Sequence, residues 1–459
     1  MVVISCCTPQ LEDLPELIHR IQSLLPAKEA ARTCILSKSL LHTWSTIPTL
    51  RFPCESLTSY NKLIDSTLCS QGAFLSIWVE IDSFTLPDEI FSSANLHEIK
   101  ISAMINPLCI PHNRVILCVS LRVLELKFLY ISEDALHNLL STCSLLEKIY
   151  LCCCEGFKTI KLKNLRCLRE LEISSTEQND ILEIDDVPSL GFFCYTDYLN
   201  KPLPFNMDSL GSVTHLDISG VVLDNAFFNM IKSNFPLLES LSLVIISRGL
   251  GSIVITSLPL KRLTLQFWVD IMTIDVQVYA PKLLFFFYAG RETVPSLSFP
   301  IIAPEEIKLR LNLKKTVDRS FFIKMREALS LSSKFYIDIE DSSHHALVSS
   351  KTKVDDLRRR VSFPVTNVQQ LSVTTFSDER PRKRALFFDA FFSICHPSYV
   401  KLKGNKCFTK MMVKEMIKNP RNGKWEDLTK SSTSLLADVN VDFKLNWLSH
   451  HEPSGAGNK

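Results

Sequence analysis

Glycine is scarce, with 12 residues among 459. Enzyme cores that cradle phosphate need glycine where the backbone approaches the ligand closely. Neither a GxxxxGK[ST] loop nor a GxGxxG after a strand pattern occurs, and HExxH is absent as well. The 15 cysteines never stand three apart, so there is no CxxC, which argues against a zinc ribbon or a thioredoxin-type centre. No apolar run reaches the roughly 18 residues that span a bilayer. The opening MVVISCCTPQLEDLPE has no basic segment before its apolar residues and turns acidic quickly, unlike a secretory signal. A net charge of +2 gives no general pull toward nucleic acid or an anionic membrane. These absences predict an intracellular protein, cytoplasmic and/or nuclear, with reduced thiols, many of them buried as small hydrophobes.

What the chain does have is apolar material in regular order. Its 459 residues are enough for two or three domains or one long repeat array, and a hydrophobic fraction of 46% makes a large core available. Between Leu11 and Pro53 three short helices are expected. Leu14, Leu17, Ile18, Ile21, Leu24 and Leu25 recur at the three- and four-residue intervals of an amphipathic helix, which Pro26 must stop. A second run, AKEAARTCILSK, sets Ala30, Ala31, Cys34 and Ile35 on one side and places Lys38 at its negative end. A third, SLLHTW, ends before Pro48. Some 40 residues cannot bury all of this apolar surface alone, so part of it should meet something else.

These residues resemble the F-box. The match runs through Leu14-Pro15-Glu16, Leu24-Leu25-Pro26, Ala30 to Thr33, Leu36-Ser37-Lys38 and Trp44, spaced as in the plant form of the motif. The departure is Ser39-Leu40, where the family usually has Arg-Trp. The resemblance implies a Skp-family adaptor as partner and, through it, a cullin. Leu14, Pro15, Ile18, Leu25, Pro26, Leu36 and Trp44 are carried over as adaptor-binding positions. Without it, the three helices read as a cap on a repeat array.

From Phe74 onward a unit recurs: apolar, two others, apolar, one other, apolar. It starts at Phe74, Leu96, Leu121, Leu146, Leu168, Leu190, Val213, Leu238, Leu260 and Leu283, at intervals of 22 to 25 residues. That period lies in the leucine-rich-repeat range. The last two apolar residues of each unit alternate, so they share one face of a short strand, which must stack on its neighbours. SEDALHNLLSTCSLLEK and DNAFFNMIKSNFPLLES carry helical segments, with Ser132 and Asp224 as caps. The 22-residue units leave room only for turns, 3-10 segments or extended backs.

The repeats resemble those of plant F-box proteins, most closely in the stretch beginning LRVLELKFLYISEDALHNLL and in LKRLTLQFWVDIMTIDVQVYAPKLLFFFYAG. The resulting expectation is an α/β protein: a short three-helix F-box, then a leucine-rich-repeat solenoid. Its sheet would be curved and mostly parallel, with helices, turns or 3-10 segments on the convex side. The segments are 11–53 for the F-box, 54–313 for the solenoid, 314–448 for irregular repeats with a capping segment, and 449–459 for a disordered tail. After about residue 306 the pattern blurs. Late strands are expected at Phe335 to Ile339, Val368 to Val373 and Tyr399 to Leu402, and helices at 317–331 and 384–395. The polar EDSSHHALVSSKTKVDDLRRR reads as a flexible insert. A final helix-then-strand would close the array, as in the same plant family.

Residues between the core positions of each strand should point outward on the concave side, where a target protein would bind. Trp78, Glu125, Lys127, Lys148, Tyr150, Glu170, Glu172 and Arg262 are the candidates, since exposed aromatics and arginine anchor interfaces. Phe285 and Phe287 also point there, unless the C-terminal segment covers them. Cys152-Cys153-Cys154 is explained by the repeat: Cys153 flanks the core position Leu151, and Cys154 satisfies turn backbone. No metal, cofactor or catalytic residue is expected. Arg380-Pro381-Arg382-Lys383-Arg384 reads as a solvated basic loop or a nuclear-targeting patch, and His344-His345 and His450-His451 lack partners at ligand spacing. The expected function is target recognition in an SCF-type ubiquitin ligase, without bond chemistry of its own. The alternative is a repeat scaffold or sensor outside a ligase.

Overall fold

A computed structural model describes residues 15–45, 49–52, 76–81, 94–103, 108–110, 118–175, 181–247, 250–268, 274–342, 354–361, 363–375, 381–404, 424–431 and 439–446. The chain forms two compact units, Met1–Val221 and Val222–Lys459.

The first unit opens with α1 (Pro15–Leu24), α2 (Ala27–Thr33) and α3 (Lys38–Ser45). Pro26 breaks the chain between α1 and α2, as its ring requires. The second helix is shorter than the sequence pattern suggests. The amides of Cys34, Ile35 and Leu36 each bond the carbonyl three residues back, which tightens the last turn and ends the helix. Lys38 therefore opens the third helix instead of closing the second, and Ser37 caps it by accepting the Leu40 amide at 3.1 Å. Ile18, Ala27, Ala30 and Trp44 fill the interior. The buried Gln22 amide donates to the Thr33 hydroxyl at 2.6 Å and the Leu40 carbonyl at 3.1 Å, tying the three helices together.

Strands then follow as β1 (Thr49–Phe52), β2 (Ser76–Ile81), β3 (Glu98–Ala103), β4 (Leu108–Ile110), β5 (Val123–Lys127), β6 (Leu129–Ile131), β7 (Lys148–Cys152), β8 (Thr159–Lys163), β9 (Glu170–Ser175), β10 (Ile181–Asp185), β11 (Phe192–Asp197) and β12 (His215–Val221). The ladder β1-β2-β3-β5-β7-β9-β11-β12 is parallel throughout. Its register stacks like on like. Ile99, Leu124, Ile149, Leu171, Phe193 and Leu216 form one buried row. Ile101, Leu126, Leu151, Ile173, Tyr195 and Ile218 form the next. Each such side chain contributes about 1.5–3 kcal/mol by leaving water, so the stack is the main source of cohesion. The second side of each repeat is built from two short parallel pairs, β4–β6 and β8–β10, and from α4 (Glu133–Thr142), capped by Ser132. At Gly220 φ is +75°, and an added Cβ would collide with the Asp197 carbonyl, so this close approach demands glycine.

In the second unit α5 (Asn225–Asn234), capped by Asp224, precedes β13 (Ser240–Ile245), β14 (Ser252–Thr256), β15 (Arg262–Phe267), β16 (Asp275–Tyr279), β17 (Phe285–Arg291), β18 (Ser296–Ser298), β19 (Glu306–Leu313), β20 (Lys334–Asp341), β21 (Val368–Thr375), β22 (Tyr399–Gly404), β23 (Lys424–Ser431) and β24 (Val439–Asn446). The ladder β13-β15-β17-β19-β20-β21-β22 is parallel. Then β24 and β23 run antiparallel and close it. The extended backs β14, β16 and β18 form their own parallel sheet. The helices are α6 (Arg319–Leu329), α7 (Val354–Arg360) and α8 (Pro381–Ile394).

All ten repeat starts read from the sequence precede a strand by two residues, and β19 to β22 continue the ladder past the point where the pattern blurs. The polar insert is a helix over its last third, α7, because Leu357 is fully buried. Its residues 343–353 lie outside the described residues, as do 405–423, which include the expected final helix, and the tail. The basic run Pro381 to Arg384 is the first turn of α8 and not a loop.

Candidate interaction surfaces

Two kinds of surface are left open. The first lies on the three helices. Only one edge of the apolar stripe on α1 turns inward, through Ile18. Leu17, Ile21 and Leu24 stand at i, i+4 and i+7 on the other edge, a single helix face, and are exposed. Ile35 and Leu36, in the turn after α2, and Leu41 on α3 are exposed too, so these six apolar side chains are 47–86% open to solvent. Of the positions carried over from the motif, Leu36 is exposed, Leu25 and Pro26 are half-buried, and Ile18 and Trp44 are interior. Leu14 and the side chain of Pro15 lie outside the described residues.

The second kind is the outward row of each strand ladder. In the first unit each lysine on β3, β5 and β7 is matched by a nearby glutamate. Lys100 pairs with Glu98 at 2.6 Å, Lys127 with Glu125 at 2.6 Å, and Lys148 with Glu170 at 2.7 Å. Lys127 also lies 4.8 Å from the centre of the Tyr150 ring. Glu172 is half-buried beside these groups. Burial raises its carboxyl above the usual range; Lys127 opposes this, while Asp217 and Glu125 add to it. Trp78 is exposed on β2.

Two thiols near this row, Cys153 and Cys194, are held protonated. Cys194 is pushed up to about 12, first by burial and then by Asp217 and Glu172. Burial, the Cys152 thiol and nearby charge raise Cys153 to about 11. A protonated thiol is a poor nucleophile. Cys154 points inward and donates to the Leu126 carbonyl at 3.3 Å, the turn-satisfying place expected for it. Cys153 has φ +51° and passes its amide to the Ser174 carbonyl. Among the described residues, no group of three or more His, Cys, Asp or Glu could hold a metal ion, and no helix is long and apolar enough to cross a membrane.

The outward row of the second unit is built differently. Arg262 lies over the Phe285 ring, 4.7 Å from its centre. Arg310 and Lys308 lie 5.6 and 5.9 Å from the centre of Phe287. Of the eight target-binding candidates only Arg262 belongs here; the others belong to the first unit. Phe285 and Phe287 are half-buried, beneath cations. The sequence places these residues on one face, but only the register brings Arg262 opposite Phe285 and Lys308 opposite Phe287.

Parallel strands stacked at a constant period, with alternating buried and outward residues, define a leucine-rich-repeat solenoid. Residues 74–202 match the family model for the leucine-rich repeats of the FBD-associated F-box protein At5g56370. The chain is 27% identical over 196 residues to F-box protein At5g03100 of Arabidopsis thaliana, a match covering 36% of this chain and 62% of that protein. It is 29% identical over 200 residues to F-box/LRR-repeat protein 25 of the same plant, covering 36% of this chain and 75% of the relative. The chain is thus similar in sequence to plant F-box/leucine-rich-repeat proteins.

Proposed function

We propose that this chain is the target-recognition subunit of an SCF-type ubiquitin ligase. Residues 11–53 would dock on a Skp-family adaptor and so on a cullin, and the repeats of 54–313, with the closing segment 314–448, would hold a target protein. The observation that carries this reading is the open apolar stripe of the three helices. Leu17, Ile21 and Leu24, with Ile35, Leu36 and Leu41, are too many large apolar side chains for so small a unit to leave in water without a partner. Ile18, Trp44 and Gln22 would serve from inside by fixing the helices that present the stripe. The chain itself would perform no bond chemistry. It would raise the local concentration of target lysines at the charged enzyme.

The test is a pull-down of the purified chain by a plant Skp-family adaptor, with Leu17→Glu/Ile21→Glu alongside. Both positions face solvent, so the variant should fold. Loss of capture in a folded variant supports the reading, and equal capture rejects it. Ser39-Leu40, standing where the motif has Arg-Trp, favours a second reading, a repeat scaffold outside a ligase. Failure of the folded wild type to bind would point that way.

A further inference from the structure

The outward row of the second unit has chemistry of its own. The guanidinium carbon of Arg262 lies over Phe285, 4.7 Å from the ring centre, and among the described residues it has no acidic partner. Next along the ladder, Lys308 and Arg310 share Phe287. Their contacts to Asp338 are long, 3.4 and 3.7 Å, and Arg310 reaches Glu340 only at 4.0 Å. Strand β21 adds Gln370, Ser372 and Thr374, with no charge. At the far side Tyr399, Lys401 and Lys403 are exposed on β22. Outward basic residues therefore outnumber acidic ones between β15 and β22, whereas acids outnumber bases between β3 and β12 of the first unit.

We propose that this face, β15 to β22, receives an extended acidic segment of a target protein. The proposal rests on the ligase reading for who brings the target, but the face's chemistry stands apart from it. A ring beneath a guanidinium fixes its plane and leaves its N–H edge open, the form that grips a carboxylate with two hydrogen bonds. Because the side chain is already ordered, less conformational freedom is lost on binding. Five strand spacings of about 4.8 Å give a track of roughly 24 Å, the length of about seven extended residues. The half-buried rings also offer apolar contact between the cations. An acidic segment straying onto the first unit would meet a surplus of its own sign, so charge fixes the place of docking as well as its strength.

The experiment uses the full chain and four fluorescein-labelled probes read by anisotropy. One is a twelve-residue peptide rich in Glu and Asp with two Leu. The second is its Gln/Asn counterpart and the third its Lys counterpart. The fourth is a single-stranded DNA of the same net charge as the acidic peptide. The acidic peptide should bind at least tenfold more tightly than the amide and lysine peptides. Arg262→Gln/Arg310→Gln should abolish that difference, Arg262→Lys should keep part of it, and Lys163→Gln, on the separate β8–β10 pair of the first unit, should leave it unchanged. Equal binding of acidic and amide peptides, or indifference to the double variant, overturns the proposal. No binding of any peptide overturns it too. Tighter binding of the DNA, lost in the same double variant, would assign the face to nucleic acid instead. Adaptor capture measured on the same preparation keeps the two readings separate: peptide binding with no adaptor capture leaves the face standing and removes the ligase.

Discussion

The two strand ladders share a backbone plan and differ in how they treat charge. In the first unit, lysines on β3, β5 and β7 sit within 2.7 Å of glutamates on the same or the adjoining strand. In the second, arginine and lysine lie across phenylalanine rings, and their acidic contacts are 3.4 Å or longer. Exposed ion pairs contribute about 0–1 kcal/mol each, and exposed cation–ring contacts about 0.5–1 kcal/mol. Neither holds the fold. The difference lies in what remains for a partner: neutralised pairs offer little, while a ring-supported cation still offers its hydrogen-bonding edge.

If the ladders' strength is interior and their faces are for contact, core and face variants must separate. Leu126→Ala in the first unit and Leu309→Ala in the second should each cost about 2–5 kcal/mol in denaturant unfolding, because both are fully buried. Gly220→Ala belongs in the same class, since strain and collision combine there. The neighbouring face variants Glu125→Ala and Lys127→Ala should cost under about 1 kcal/mol. A face variant as damaging as a core one would break the comparison.

Phe287→Ala sharpens it. The charges on Lys308 and Arg310 remain but their support goes. Stability should fall by about 1–2 kcal/mol, and affinity for acidic peptide should fall with no change in net charge. On the first face, Glu172→Gln should raise the melting temperature slightly at neutral pH, by no more than the roughly 0.5 kcal/mol usual for a surface change. Burial makes Glu172 bind its proton more readily folded than unfolded, with Asp217 and Glu125 adding and Lys127 opposing. Its charged form therefore weakens the fold as pH rises through the raised value. The advantage of the glutamine variant should vanish as pH falls below the ordinary carboxylate range. Smallest of all, Cys153→Asn should be neutral or stabilising by a few tenths of a kcal/mol, because asparagine tolerates the left-handed backbone found there.

Much of this architecture was legible in the sequence. Period and alternation suffice to place the ten ladder strands from β2 to β17, because every repeat solves the same burial problem, while for the short strands on the backs of the repeats the pattern allows turns, 3-10 segments or extended stretches alike. Ser132 and Asp224 could be read as caps because each stands just before a helical apolar pattern, where a side-chain oxygen can accept a free first-turn amide. Besides α7 and the first turn of α8, three features were not legible, for physical reasons. Helical periodicity identifies the stripe on α1 but cannot say which edge, Ile18 or Leu17, faces inward; that is decided by α2 and α3. The end of α2 turns on backbone bonds three residues back, where the composition still favours helix; Ser37 was the available signal. The pairing of Arg262 with Phe285 joins residues 23 apart, and it exists only because the ladder register sets them side by side.

The most direct test of the account is the affinity of the purified chain for a plant Skp-family adaptor, measured by titration calorimetry on wild type and Leu17→Glu/Ile21→Glu. One-to-one binding by the wild type is expected, with at least a hundredfold loss in a variant that melts as the wild type does. Equal affinity in both would mean that the open stripe is not the docking surface, and a folded wild type without affinity would contradict the ligase reading.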